Sequence, residues 1–180
     1  MDGDACGEVL QQARGGHRAA QAQLVRRFAD QWYRVSVSLL ADRESARDAA
    51  QETALRFLQG LATFRGDSRL RTWSVGIAVN VCREVLRRQN RTAQNVAAGG
   101  ATRVTPSPPE WIIAGREQAE HLHAMLSLLP SRQREALMLR YFEQLSVGQT
   151  AAVMQCATGT VKATVNQALR RLRREWKDKP

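Results

Sequence analysis

An all-α fold in two helical blocks is predicted by three features of this 180-residue chain. Apolar residues recur at spacings of three and four, the period of a helix that buries one face. Strand signals are almost absent, with no sustained alternation and no Asn-Gly or Asp-Gly turn between apolar runs. Between Thr92 and Pro109, T-A-Q-N-V-A-A-G-G-A-T-R-V-T-P-S-P-P, bulky apolar side chains become scarce while Gly and Pro cluster, the composition of a linker. The expected division is therefore 1–91, a tether over 92–109, and 110–180, each block large enough for a small core only.

In the first block, Gly15-Gly16 separates an opening helix from one over about Arg18–Leu40. Asp42 or Ser45 can cap the next helix, about 45–61, and Ser45 with Asp48 has the spacing of a capping box. Wound at 100° per residue, this helix puts Ala50, Ala54, Phe57, Leu58 and Leu61 on a core stripe. Asp48, Gln51, Glu52 and Leu55 fall opposite. Such a set is usually a solvated face, but in so basic a chain it is also a candidate for protein docking. Phe64-Arg65-Gly66-Asp67 reads as a turn, with Asp67 or Ser68 as N-cap of a helix reaching about Arg91. Its apolar stripe is Leu70, Trp73, Ile77, Val81 and Val85, so Trp73 is expected in the core, with base stacking as the alternative. Asn80 lies at the stripe's margin, on the side of Gly76, Arg83 and Arg87. A carboxamide among guanidinium groups suits base-edge hydrogen bonding beside phosphate anchoring; a boundary Asn without a task is the plainer reading.

In the second block, Glu110–Leu129 has the pattern of an amphipathic helix, and Pro130-Ser131 stops it and caps the next. There Ala136, Leu137 and Arg140-Tyr141 are expected to turn inward. Ser146 caps a short helix, and after the tight Q-C-A-T connection Thr158 or Thr160 starts a longer one to about Trp176. Two helices joined by a few residues, the second ending in cations, follow the helix-turn-helix plan. The last helix separates its faces. Val161, Val165, Ala168, Leu169 and Leu172 form the buried stripe. Gly159, Lys162, Ala163, Asn166, Arg170 and Arg173 face away, which combines close approach, an amide for base edges and cations for phosphate.

Lys and Arg total 27 against 17 Asp and Glu, a formal charge of +10, which favours a polyanionic partner: nucleic acid first, an anionic membrane surface second. No apolar run approaches the ~20 residues that cross a bilayer, so no membrane insertion is expected. The acidic start Met1-Asp2-Gly3-Asp4 lacks the plan of a signal peptide. Cys6, Cys82 and Cys156 are odd in number and far apart, which fits small thiols in a reducing cytosol. His17, His121 and His123 have no ligand-like spacing, so neither metal nor cofactor is expected. An enzyme acting on nucleic acid would need a metal cluster, a nucleophile–base pair or a phosphate-cradling Gly loop, and none can be recognised.

The motifs D-A-A-Q-E-T (48–53), F-R-G-D-S-R-L-R-T-W (64–73), I-A-V-N (77–80), L-L-P-S-R-Q-R-E-A-L-M-L-R (128–140) and G-T-V-K (159–162) occur in this order around the tether. From about Val9 to Trp176 the chain resembles a group 4, extracytoplasmic-function (ECF) sigma factor of bacterial RNA polymerase, with only regions 2 and 4. The resemblance implies a non-enzymatic cytoplasmic subunit that binds core RNA polymerase (β′ clamp helices and β flap) and promoter DNA. An anti-sigma factor is a further expected partner. It implies core-polymerase binding by Asp48, Gln51, Glu52 and Leu55. Phe64, Arg65, Asp67, Ser68, Arg69, Asn80, Arg83 and Arg87 would hold the −10 strand with one base extruded into a pocket. Thr158, Gly159, Lys162, Ala163, Asn166, Gln167 and Arg170 would read the −35 duplex. The chain departs from the family pattern at Arg47, Ala54, Leu58 and Gly76, at Gly148-Gln149-Thr150 and at Ala163-Thr164. The competing reading is a free-standing helix-turn-helix regulator that binds duplex DNA tightly without polymerase.

Overall fold

The computed structural model describes residues 3–40, 42–97 and 126–177, which are helical throughout apart from their connections. Helix α1 (Gly3–Arg14) leads through Gly15 and Gly16 into α2 (Arg18–Leu40), and Gly16 takes φ +86°, a region open chiefly to glycine. Next come α3 (Arg43–Gly60), a 3₁₀ turn (Leu61–Thr63) and the long α4 (Leu70–Ala97). In the second block α5 (Ser131–Leu137) runs into a π-helical turn (Met138–Phe142), followed by α6 (Val147–Met154) and α7 (Thr158–Lys177). The expected helix over 110–129 lies outside the described residues up to 125, as does the tether beyond 97. Helix α4 continues past Arg91 into the stretch assigned to the tether, because T-A-Q-N-V-A contains neither Gly nor Pro.

The first block closes around α2, whose Leu24, Phe28, Trp32 and Val35 are buried against α3 and α4. Phe28, Trp32, Phe57, Trp73 and Phe64 form a chain of rings with centroids from 4.9 to 6.0 Å apart. Trp73 therefore packs the core, against Phe57 and Phe64.

Two stripes are rotated from expectation. On α3 the deepest positions are Ala46, Ala49, Thr53 and Phe57, while Ala50, Ala54 and Leu58 pack at the edge. Thr53 is tolerated there because its hydroxyl donates to the Ala49 carbonyl at 2.6 Å. On α4, Ser74, Val75, Ala78, Val79 and Cys82 are fully covered, while Leu70, Trp73, Ile77 and Val85 are partly covered. Helix α4 contacts α2, α3 and α6, so small residues are needed where the backbones converge. Burial pushes the Cys82 thiol up to about 12, and its Sγ lies 3.6 Å from Ser36 Oγ.

The caps also differ in part. Asp42 caps α3, with Oδ2 accepting from the Ser45 N–H at 2.8 Å, while Ser45 lies inside the helix. Helix α4 starts at Leu70, after Asp67 and Ser68 rather than directly on them. Ser131 is the first residue of α5 and makes no capping bond. The π turn then changes the register, so Tyr141 and Phe142 face out although Tyr141 was expected inside. Ser146 does cap α6, in a reciprocal box with Gln149 at 3.1 and 2.8 Å.

The blocks pack together. Ala136, Met138, Leu139, Leu145, Val153 and Met154 join the apolar core built by α2 and α4. Arg134 spans the seam, donating to the carbonyls of Leu39 (3.1 Å), Leu126 (3.0 Å), Ser127 (2.9 Å) and Leu129 (3.2 Å). Burial lowers its pKa, and these acceptors, one of them in the last turn of α2, compensate the guanidinium.

Candidate nucleic-acid and polymerase interfaces

Helix α3 carries the acidic face outward: Asp48, Gln51 and Leu55 are exposed, and Glu52 is half-exposed. Leu55, 56% exposed, adds an apolar spot among the polar side chains. Arg56 supports this face from the α4 side. Its Nε donates to Glu52 Oε1 at 2.7 Å, while Nη1 and Nη2 reach the Glu84 carboxylate at 2.7 and 2.8 Å. The Arg56 bond holds the Glu84 carboxyl below the usual carboxylate range, with Arg88 and Arg87 acting in the same direction. A two-pronged guanidinium bridge fixes orientation as well as charge, so Glu52 is held in place.

The 64–69 loop begins with buried Phe64, then exposes Arg65, Gly66, Asp67, Ser68 and Arg69. Gly66 takes φ +82°, which lets the chain reverse toward α4. A pocket of ≈ 330 Å³ opens here, lined by Thr63, Phe64, Arg65, Gly66, Asp67, Ser68 and Trp73. Phe64 differs from the rest of the loop. It is 8% exposed and stacked near Trp73, so it floors the loop and does not present its ring outward.

Asn80, Arg83 and Arg87 lie apart from that pocket, along α4. Asn80 is exposed, and its Oδ1 accepts from Arg83 Nη1 at 3.0 Å. They line a groove of ≈ 740 Å³ whose far wall is Arg132, Glu135 and Met154 of the second block. The predicted −10 set thus divides into a loop pocket and a helix groove.

On α7 every predicted residue is exposed: Thr158, Gly159, Lys162, Ala163, Asn166, Gln167 and Arg170. The opposite side buries Val161 and Ala168, with Val165, Leu169 and Leu172 packed against the second block's own apolar cluster. The turn before it is set by Gln155 at φ 53°, a left-handed residue that closes α6. A further basic groove of ≈ 590 Å³ combines Gln133 and Gln167 with Arg170, Arg171, Arg173 and Arg174. The R-R-L-R-R run was the available signal for Arg171 and Arg174. No comparable signal marked Arg56, Arg132, Glu135 or Glu143, whose partners are distant in sequence. Among the described residues no group of three or more His, Cys, Asp or Glu is placed to hold a metal, and no helix is long and apolar enough to cross a membrane.

The family profile for Sigma-70 region 2 matches residues 24–92, and that for Sigma-70, region 4 matches residues 119–172. The RNA polymerase sigma-H factor of Pseudomonas aeruginosa is 30% identical over 170 residues, covering 89% of this chain and 88% of that protein. The ECF RNA polymerase sigma factor EcfG of Rhodopseudomonas palustris is 32% identical over 137 residues, covering 76% and 74%. In fold, the chain is similar to the sigma factor RpoE crystallised with the anti-sigma factor NepR from Bartonella quintana. That match has a TM-score of 0.75 at 24% identity, over 88% of this chain and 98% of the other. CnrH, solved with the cytosolic domain of CnrY, matches with a TM-score of 0.73 at 21% identity, over 98% and 100%. Two helical blocks in the order region 2 then region 4, with relatives aligned across both, establish that this chain belongs to the ECF sigma factors of the sigma-70 family, which bind core RNA polymerase and direct it to promoters.

Proposed function

We propose that this ECF sigma factor divides promoter recognition among three faces and performs no catalysis of its own. Asp48, Gln51, Glu52 and Leu55 dock on the β′ clamp helices, and region 4 meets the β flap. The 64–69 loop and Asn80, Arg83 and Arg87 hold the −10 strand. Thr158, Gly159, Lys162, Ala163, Asn166, Gln167 and Arg170 hold the −35 duplex. The observation that carries this reading is the outward placement of the acidic α3 face and the basic α7 face on opposite blocks of one chain.

Promoter opening then needs no nucleotide hydrolysis by this chain. Extruding a base costs a few kcal/mol in stacking and pairing, roughly. A pocket near cations offsets that cost by capturing the open form. The loop pocket of ≈ 330 Å³ falls within the range of small ligand sites, roughly 300–1,000 Å³. We assign 1–91 to region 2, with α4 as its closing helix, and 110–180 to region 4. The chain works in the cytoplasm without cofactor, and an anti-sigma protein is its proposed regulator, as NepR and CnrY accompany the similar folds.

Run-off transcription with added core polymerase over a promoter library tests the proposal. Discrete starts that depend on this chain are expected, and none from any template would overturn it. Tight specific duplex binding by the purified chain alone, ~10⁻⁸ M or better, would instead favour a free-standing regulator.

A further inference from the structure

Of the three faces, two are open and the third is covered in part: Asn80 and Arg87 stay exposed, while Arg83 between them is engaged. Asp48 and Gln51 on α3 and the reading residues of α7 are exposed, whereas the second block sits against the proposed strand-holding side of α4. Arg83 is the centre of this contact. Its Nη2 donates to Glu135 Oε1 at 2.5 Å and its Nε to Oε2 at 3.2 Å, a two-pronged pair. Nη2 also reaches the Val153 carbonyl at 3.3 Å, and Nη1 engages Asn80. Glu135 is 3% exposed, and Arg132 of its own block approaches it at 3.4 Å. At the other end of the seam Glu143, 2% exposed, accepts from Arg71 Nη2 at 2.9 Å and from Gln31 Nε2. Arg71 also donates to the Glu143 carbonyl at 3.0 Å.

Between these pairs α6 crosses α4 at Gly76. A Cβ built there would lie in van der Waals contact, 3.9 Å from Val153 Cγ2, so a side chain as long as Leu extends from this contact toward α6.

We infer that the strand-holding side of α4 is a docking surface for the chain's own region 4, locked by Glu135 and Glu143. The Glu135 carboxylate occupies on Arg83 the place a strand phosphate would take. Carboxylates leave water at a cost of several kcal/mol unless paired, roughly. Glu143 finds its charged partner in the other block, and Glu135 its two-pronged one. Their burial therefore specifies this one closed arrangement. A guanidinium holds carboxylate and phosphate oxygens with the same two-pronged geometry, so the two ligands exclude each other. Polymerase can dock on α3 while the lock is shut, and separation of the blocks on the enzyme then frees Arg83 beside the exposed Asn80. The inference rests on the reading of α4 as the −10 strand holder.

The test uses the full chain without polymerase, with small-angle scattering for compactness and fluorescence anisotropy with a short single-stranded DNA pool for strand binding. Glu135→Gln with Glu143→Gln is compared with Glu8→Gln with Glu44→Gln, an equal charge change at exposed sites. Apparent affinity scales with the fraction of open molecules. The lock variant is expected to expand and to bind the DNA at least tenfold more tightly than the control. Gly76→Leu, which leaves both carboxylates and the charge intact, is expected to do the same. Circular dichroism verifies the helices in each variant. Unchanged scattering in both folded variants overturns the lock. Expansion without tighter DNA binding overturns the masking role, and run-off transcription by Asn80→Ala with core polymerase then reports separately on whether α4 holds the strand.

Discussion

Gly60 lies beneath the Trp73 indole: a Cβ there would fall 2.8 Å from Cζ2, and the ring cannot retreat because Phe57 and Phe64 flank it. Gly60→Ala would gain up to ~1 kcal/mol of helix propensity but lose about 1–3 kcal/mol to overpacking. A lower Tm by calorimetry is expected, and a raised Tm would show that the indole can shift. Asn80 makes the contrasting case, since it is exposed and its Oδ1 accepts from Arg83. Asn80→Ala is expected to leave Tm and core-polymerase affinity unchanged while weakening promoter opening by about 1–3 kcal/mol, roughly five- to 150-fold. Permanganate footprinting of the melted region measures the loss. Sequence periodicity separated these residues by placing Trp73 on the stripe and Asn80 at its margin. It says nothing of Phe64, because a single aromatic in a loop has no period to show which way it points.

At the scale of elements, α3 combines a cap and a docking face. Asp42 accepts from the Ser45 backbone, and its carboxyl is held below its ordinary value of 3.8, first by its hydrogen bonds to Ser45. A depressed folded pKa means that the cap's charge-dependent stabilisation is present above the unfolded pKa and is lost as pH falls through the folded one. Asp42→Ala should therefore cost about 1 kcal/mol near pH 7, with the gap from wild type narrowing as pH falls below 3.8 toward the depressed folded value. Thermal melts at the two pH values check this. Farther along α3, Asp48→Arg with Glu52→Arg should weaken core-polymerase binding at least ~10-fold by placing like charges at a complementary surface. The helical circular dichroism should not change, and pull-down titration with core enzyme gives the readout. Helix existence was legible here because runs of three-and-four spacing are long. The exact buried stripe was not, since Thr53 and Ser74 carry hydroxyls that count as polar in any pattern yet bond to the carbonyls of Ala49 and Arg71.

For the whole molecule, two weak readers on one chain gain from effective concentration once both are placed on polymerase. Lengthening the tether after Gly100 by about its own length should reduce coupled promoter binding roughly threefold, and leave binding to isolated −10 or −35 DNA by the same holoenzyme unchanged. Filter binding with full and half promoters separates the two. Composition, helical periods and ordered motifs by themselves determined an all-α chain in two blocks, its family, and which side of α7 faces out. Those are local or cumulative properties, carried by residues a few positions apart. Only the tertiary structure decided that Arg83 meets Glu135, that Arg71 and Gln31 meet Glu143, and that Gly76 gives α6 room to cross α4. Such pairs are 52 to 112 residues apart, and a charged residue in sequence looks the same whether its partner is water or a buried opposite charge.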